Sequence, residues 1–127
     1  MNITRIFNSS SFFQPVVDGE PVRSVVTESQ DAVVVAWYIN PGQEISPHIH
    51  PCGQDTWIIL TGTGDYYLDQ ASTTKPIGAG DIVIAHPECV HGVVNNSDAP
   101  LVFISVVSPL DAGYQLVSLE DAMSRQA

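Results

Sequence analysis

Positive charge is what this sequence has least of. Four Lys and Arg stand against fourteen Asp and Glu, a net charge of −10. Arg5, Arg23, Lys75 and Arg125 are scattered, so no basic patch follows a phosphate backbone or an anionic membrane surface. Nucleic acid is excluded as a partner. No apolar run approaches the ~18 residues that cross a bilayer, and Met1 to Ser11 lack the ~7–15-residue apolar core of a signal peptide. Two cysteines, Cys52 and Cys89, are too few for a secreted disulfide scaffold. These absences predict a cytoplasmic protein with no membrane partner. What is present is apolar: 44% of 127 residues are hydrophobic and only 14% charged, the balance of a packed globule. One domain over residues 1–127 is expected, able to bury roughly two-thirds of its unfolded surface without a disulfide lattice or structural metal.

Short β-branched and aromatic runs alternate with turn chemistry along the chain. Ala32–Ile39 ends at Asn40-Pro41-Gly42, Thr56–Leu60 at Thr61-Gly62-Thr63-Gly64, and Tyr66-Tyr67-Leu68 at a polar tip, Asp69–Lys75. Ile82–Ala85, Val90–Val94 and Leu101–Val107 follow. Such spacing predicts an all-β sandwich or barrel. Strands are also expected in residues 1–30, from the apolar runs Ile3–Phe7 and Val22–Thr27. Only Leu116–Met123 carries apolar residues at helical spacing, so at most a short C-terminal helix is expected.

The four histidines fall in two clusters about forty residues apart. The first reads Gly42-x5-His48-x-His50-x4-Asp55-x6-Gly62. Alternate side chains on a strand share a face, and a turn at Pro51-Cys52-Gly53 returns Asp55 beside the two imidazoles. The second reads Gly80-x5-His86-x4-His91-x3-Asn95. Three imidazoles and a carboxylate are a donor set for one divalent metal. Cys52 and Cys89, each two residues from a histidine of the set, are soft thiolate ligands, partners in a disulfide, or small buried hydrophobes.

These motifs resemble those of the cupins, G-x5-H-x-H-x3–4-E-x6-G and G-x5-P-x-G-x2-H-x3-N. Gly42, His48, His50 and Gly62 match the first at every spacing, and Gly80, His91 and Asn95 match the second. The resemblance covers about Trp37 to Pro109. It implies an antiparallel jelly-roll β-barrel with a metal held by His48, His50, Asp55 and His91. Three positions depart from the pattern. Asp55 replaces the glutamate, shortening the side chain by about 1.5 Å; it ligates directly or hydrogen-bonds a metal-bound water. His86 replaces the proline, and Glu88 replaces the glycine, so the tight turn there is expected to be built differently.

Trp57 and Ile59 share a strand face with Asp55, and with His86 and Asn95 they are expected to line a substrate pocket. Asp55 is the nearby carboxylate fit for proton transfer. The resemblance implies one divalent cation (iron, manganese, nickel or zinc) and a small oxygenated ligand. It also implies an enzyme of the dioxygenase, decarboxylase or isomerase kind and a homodimer. The alternative is a metal-containing pocket that binds or senses a small molecule without turning it over.

Overall fold

Among the described residues, ten strands account for nearly all the regular structure. The structure is a computed structural model that describes residues 3–118. The strands are β1 (Ser24–Glu28), β2 (Val33–Ile39), β3 (Glu44–Ile49), β4 (Gln54–Thr61), β5 (Thr63–Tyr67), β6 (Thr74–Gly78), β7 (Ile82–Ala85), β8 (His91–Val94), β9 (Leu101–Ser108) and β10 (Gln115–Leu116). They pair antiparallel in two five-stranded sheets, β1-β2-β9-β4-β7 and β10-β3-β8-β5-β6, the jelly-roll barrel the sequence implied. No helix among the described residues is long and apolar enough to cross a membrane.

Period-two burial explains the pairing of the sheets. In β9 the residues Leu101, Phe103, Ser105 and Val107 are buried while those between are half-exposed. In β4 the buried set is Asp55, Trp57 and Ile59. Because β2, β4 and β9 run side by side in register, like positions form layers along the barrel. Ile39, Ile59, Leu101 and Phe103 close one end with Tyr66, Ile77 and Val93 from the facing sheet. The other end is looser: Val33, Val35, Trp57 and Val107 line an open cavity of about 590 Å³. Phe103 lies between two indoles, 4.3 Å from Trp57 and 6.4 Å from Trp37 by ring centroid.

Several expectations need correction. Ile3–Phe7 forms no strand; Ile3 and Ile6 are exposed, and the segment leads into a single 3-10 turn at Ser9–Ser11. The polar tip is shorter than expected, because Thr74–Gly78 pairs with β5 as β6. Pro76 is tolerated there because β6 is a sheet edge with one neighbour. Leu116 is not helical. With Gln115 it extends β3 at the other edge, opposite His48 and Ile49, while Leu119 and Met123 lie outside the described residues.

In the turn before His91, Glu88, at the position of the motif's glycine, adopts the left-handed conformation, φ 69°. That geometry costs a non-glycine residue about 1–2 kcal/mol. The Cys89 amide closes the turn on the His86 carbonyl, and the Glu88 amide donates to the His50 carbonyl. At Gly62 the reason for glycine is space as well as φ +85°: a Cβ would collide with the Pro100 carbonyl oxygen.

Candidate metal centre

The histidines reach the barrel interior by a register shift. Ile45 faces inward opposite Val93, and strict alternation from it would turn His48 and His50 outward. Between Ile45 and His48 the strand gains one residue, a bulge at Ser46-Pro47, so His48 instead pairs across from His91 with both rings inside. The bulge presses on Gly92, where a Cβ would stand 2.5 Å from the Ile45 carbonyl oxygen. His48, His50 and His91 thus come from the β3/β8 sheet. Asp55 comes from β4 in the facing sheet.

The ligand-capable atoms of His48, His50, Asp55 and His91 lie within 4.8 Å of one another. A divalent ion with bonds of ~2.0–2.2 Å bridges donors up to ~4.4 Å apart, so the cluster is near closing distance. Its tautomers are fixed from outside. Each imidazole donates Nδ1–H to a backbone carbonyl: His48 to Ser46 at 2.8 Å, His50 to Gly113 at 2.6 Å, and His91 to Cys89 at 3.0 Å. Each Nε2 therefore carries its lone pair into the cluster. There the Asp55 carboxylate stands 3.0 Å from His91 Nε2 and 3.4 Å from His50 Nε2. Lone pairs and a carboxylate so close repel unless a proton or a cation lies between them. The donor set fits a divalent metal.

Asp55 is 4% exposed and His91 1%. Ser105 on β9 donates from Oγ to Asp55 Oδ1 at 3.0 Å, leaving Oδ2 for the histidines. Burial would raise the Asp55 pKa, but when a proton lies on Nε2 of His50 or His91 the hydrogen bond it makes outweighs burial and holds the carboxyl well below the usual carboxylate range. Burial, with the adjoining His91 imidazole, pushes His48 down to about 4. His50 is desolvated too, yet Asp55 and the Gly113 carbonyl prevail and raise its pKa.

The pH dependence follows in sign. Without metal, the raised pKa of His50 contributes stability below its unfolded value of ~6.5 that is lost as pH rises through the folded value. The depressed pKa of Asp55 contributes above ~3.9 and is lost on acidification through its folded value. A metal needs His50 neutral, so His50 is where protons first compete. The melting-temperature gain from added metal should shrink as pH falls through the raised folded pKa of His50, above ~6.5, as thermal denaturation between about pH 8 and pH 5 will show. An equal gain at both ends would contradict this assignment of the first proton.

Of the expected pocket residues, Trp57 lines the cavity and the others do not. Ile59 shares the Trp57 face but lies one layer deeper, within the closed-end core. Asn95 lies four residues beyond His91, about 13 Å along an extended chain. It is fully buried, donating to the Ile39 and Ala99 carbonyls and accepting from Ser97, and so ties the closed end. His86 is exposed in the turn after β7, where the following proline holds it extended and away from the cavity. Cys52 and Cys89 are free, exposed thiols outside the cluster. The sequence reading missed Ser105, Arg23, Gly113 and Tyr114. Only the inward parity of β9 could have drawn notice to Ser105.

A family model described as a cupin domain matches residues 35–107. No curated protein matches the chain. Among solved structures, a conserved protein with a double-stranded β-helix domain from Klebsiella pneumoniae subsp. pneumoniae MGH 78578 is 45% identical. The match covers 91% of this chain and 99% of that one with a TM-score of 0.86. A protein from Thermus thermophilus, 19% identical, matches 84% of this chain and 98% of its own at TM-score 0.75. The polyketide cyclase RemF from Streptomyces resistomycificus, 15% identical, matches 91% and 86% at 0.73. These last two share the fold.

Proposed function

This chain belongs to the cupin family, and from that premise we propose that it is a metal-dependent enzyme acting on a small oxygenated molecule in the barrel cavity. One observation carries the reading: three imidazoles whose Nε2 lone pairs converge on a buried, ionised carboxylate. His48, His50, His91 and Asp55 would hold the cation. A bound divalent metal polarises and orients an oxygen of the substrate. The cavity, at about 590 Å³, is in the size range of small-molecule sites, and its walls are mainly apolar. Asp55, kept ionised and aimed by Ser105, is the group placed to accept a proton from a bound molecule. The reaction belongs with the dioxygenase, decarboxylase or isomerase chemistry of cupin enzymes. The exposed, unpaired thiols suit a reducing compartment such as the cytoplasm.

Elemental analysis of protein purified without added metal is the test. About one iron, manganese, nickel or zinc per chain is expected. Protein that holds no divalent cation even after loading and desalting would end the proposal.

We further propose that two copies pair through the outer face of the β1-β2-β9-β4-β7 sheet. Ile58, Leu60, Ile82 and Ile84 project there with 38–66% exposure. Ile58 is opposite both Ile82 and Ile104, and Thr56 opposite Ile84 and Val106, so the apolar surface is continuous across three strands. No charged side chain interrupts the outward positions of β4, β7 and β9. For a chain of net charge −10, this is a face on which a second copy docks without juxtaposing like charges. Five strands at ~4.8 Å spacing and ~20 Å length offer on the order of 500 Å² in projection. That is more as accessible surface, approaching the ~800 Å² per partner of a stable interface. Light scattering should give twice the 13.7 kDa chain mass. The pair Ile58→Glu and Ile84→Glu should return the monomer. A wild-type monomer at micromolar concentration would refute the pairing.

A further inference from the structure

Ser105 is the one polar side chain in the inward row of β9. The rest of that row is Leu101, Phe103 and Val107, and all four residues are buried. A hydroxyl in such a row costs stability unless it finds a partner, whereas a valine there would simply pack. The partner is across the sheet, where Ser105 Oγ donates to Asp55 Oδ1 at 3.0 Å. Trp57 is opposite Ser105 in the β4/β9 register, so Asp55 stands one inward position along, on the diagonal. The carboxylate is thereby divided. Oδ1 faces the serine, and Oδ2 is the oxygen that lies 3.0 Å from His91 Nε2 and 3.4 Å from His50 Nε2. The enclosed Nε1–H of Trp57, which has no other acceptor, also acts on the carboxylate as a donor.

We propose that Ser105 holds Oδ1 of Asp55 away from the metal, so that the carboxylate gives the cation one oxygen, Oδ2, and a coordination position stays free for a bound molecule. Ser105 is thus a positioning residue that acts through Asp55. The inference rests on the metal centre proposed above and deepens it. A carboxylate binds a cation through one oxygen or through both. A hydroxyl donating to one of them, in a charge-assisted hydrogen bond inside the barrel, favours the one-oxygen mode. Without that hydroxyl, Oδ1 becomes a buried acceptor that has lost its partner, and the cation is a group able to satisfy it. The two consequences have opposite signs. The metal gains a donor atom, and an added ligand that needs two positions loses one of them.

The experiment loads the full chain with cobalt(II) and titrates it with acetohydroxamate, a ligand that needs two positions, while the visible absorption of the cobalt is followed. Cobalt affinity is measured separately by competition with a chelator. Ser105→Ala should hold cobalt at least as tightly as the wild type and acetohydroxamate at least ~10-fold more weakly. Ser105→Thr and Ser105→Val have the same shape and differ in the hydroxyl alone, and residue 105 borders the open cavity, which has room for the added methyl groups. The threonine variant should behave as the wild type and the valine variant as Ser105→Ala. That pair decides the question even where the alanine variant folds poorly. A hydroxyl with a merely structural role would instead weaken cobalt binding in the alanine and valine variants, which overturns the inference. So does acetohydroxamate binding wild type and Ser105→Val alike, or the threonine variant matching the valine one. Wild type that takes up no cobalt removes the metal centre and this inference with it. Wild type that takes up cobalt without the expected pattern among the variants removes this inference alone.

Discussion

Replacing His48 and His50 together with alanine is expected to leave the purified protein without divalent metal while the barrel still folds. The loss follows from how few donors there are. Zinc held by four protein ligands is bound by about 10–16 kcal/mol at neutral pH. Two ligands carry roughly half of that, which is ~10⁴-fold or more in affinity. Neither cysteine compensates, because Cys52 and Cys89 are exposed and outside the cluster. The fold should survive, since the buried apolar clusters are built from residues other than these two histidines. Metal content by elemental analysis, with circular dichroism on the same sample, reads both halves. A folded double variant with a full complement of metal would remove the histidines from the centre. Asp55→Ala and Asp55→Glu locate the carboxylate more finely: equal affinity in both variants and the wild type would leave a three-histidine site.

The second large effect concerns stability. Phe103→Ala should cost about 3–5 kcal/mol, the range for emptying a buried aromatic site. Phe103 is fully buried and stacked between Trp37 and Trp57, so truncation leaves a void that two indoles cannot fill without abandoning their own packing. For a chain of this length the loss corresponds to roughly 10–20 °C in melting temperature. Urea denaturation of the metal-free protein gives the cleanest value, because bound metal adds its own stabilisation to the folded state. A cost under about 1 kcal/mol would mean that the closed end of the barrel is far looser than its packing shows.

The strands that read best from sequence were those with two informative faces. Val33–Ile39 and Leu101–Ser108 are dense in β-branched and aromatic residues and bounded by turn residues, and both are central strands. Thr74–Gly78 was illegible because an edge strand with four exposed or half-exposed residues carries little apolar signal. The metal cluster was legible from spacing even though the device that turns it inward was not. Nothing in Ile45-Ser46-Pro47 announces a bulge until Gly92 is seen pressed against it. The pocket was misread for one physical reason. Strand parity tells which side chains point inward but not how far along the barrel the cavity extends. Ile59 obeys parity and is core alone; Trp57, two residues earlier, packs in the same core and also reaches the cavity wall. Arg23 and Tyr114 come from segments flanking the motifs, so only the folded chain brings them to the rim.

The carbonyls that orient the imidazoles also put the centre on a timetable. Those serving His48 and His91 each lie two residues away, available once the local chain is in place. The one serving His50 belongs to Gly113, sixty-three residues downstream. As the chain leaves the ribosome, every proposed ligand is made by residue 91, yet the ring of His50 stays free to rotate until twenty-two more residues have followed and crossed the barrel mouth. A nascent or clipped chain ending before Gly113 carries all four donors with one of them unaimed. If the centre holds a metal as proposed, a chain ending before Gly113 should bind it more weakly than the finished chain.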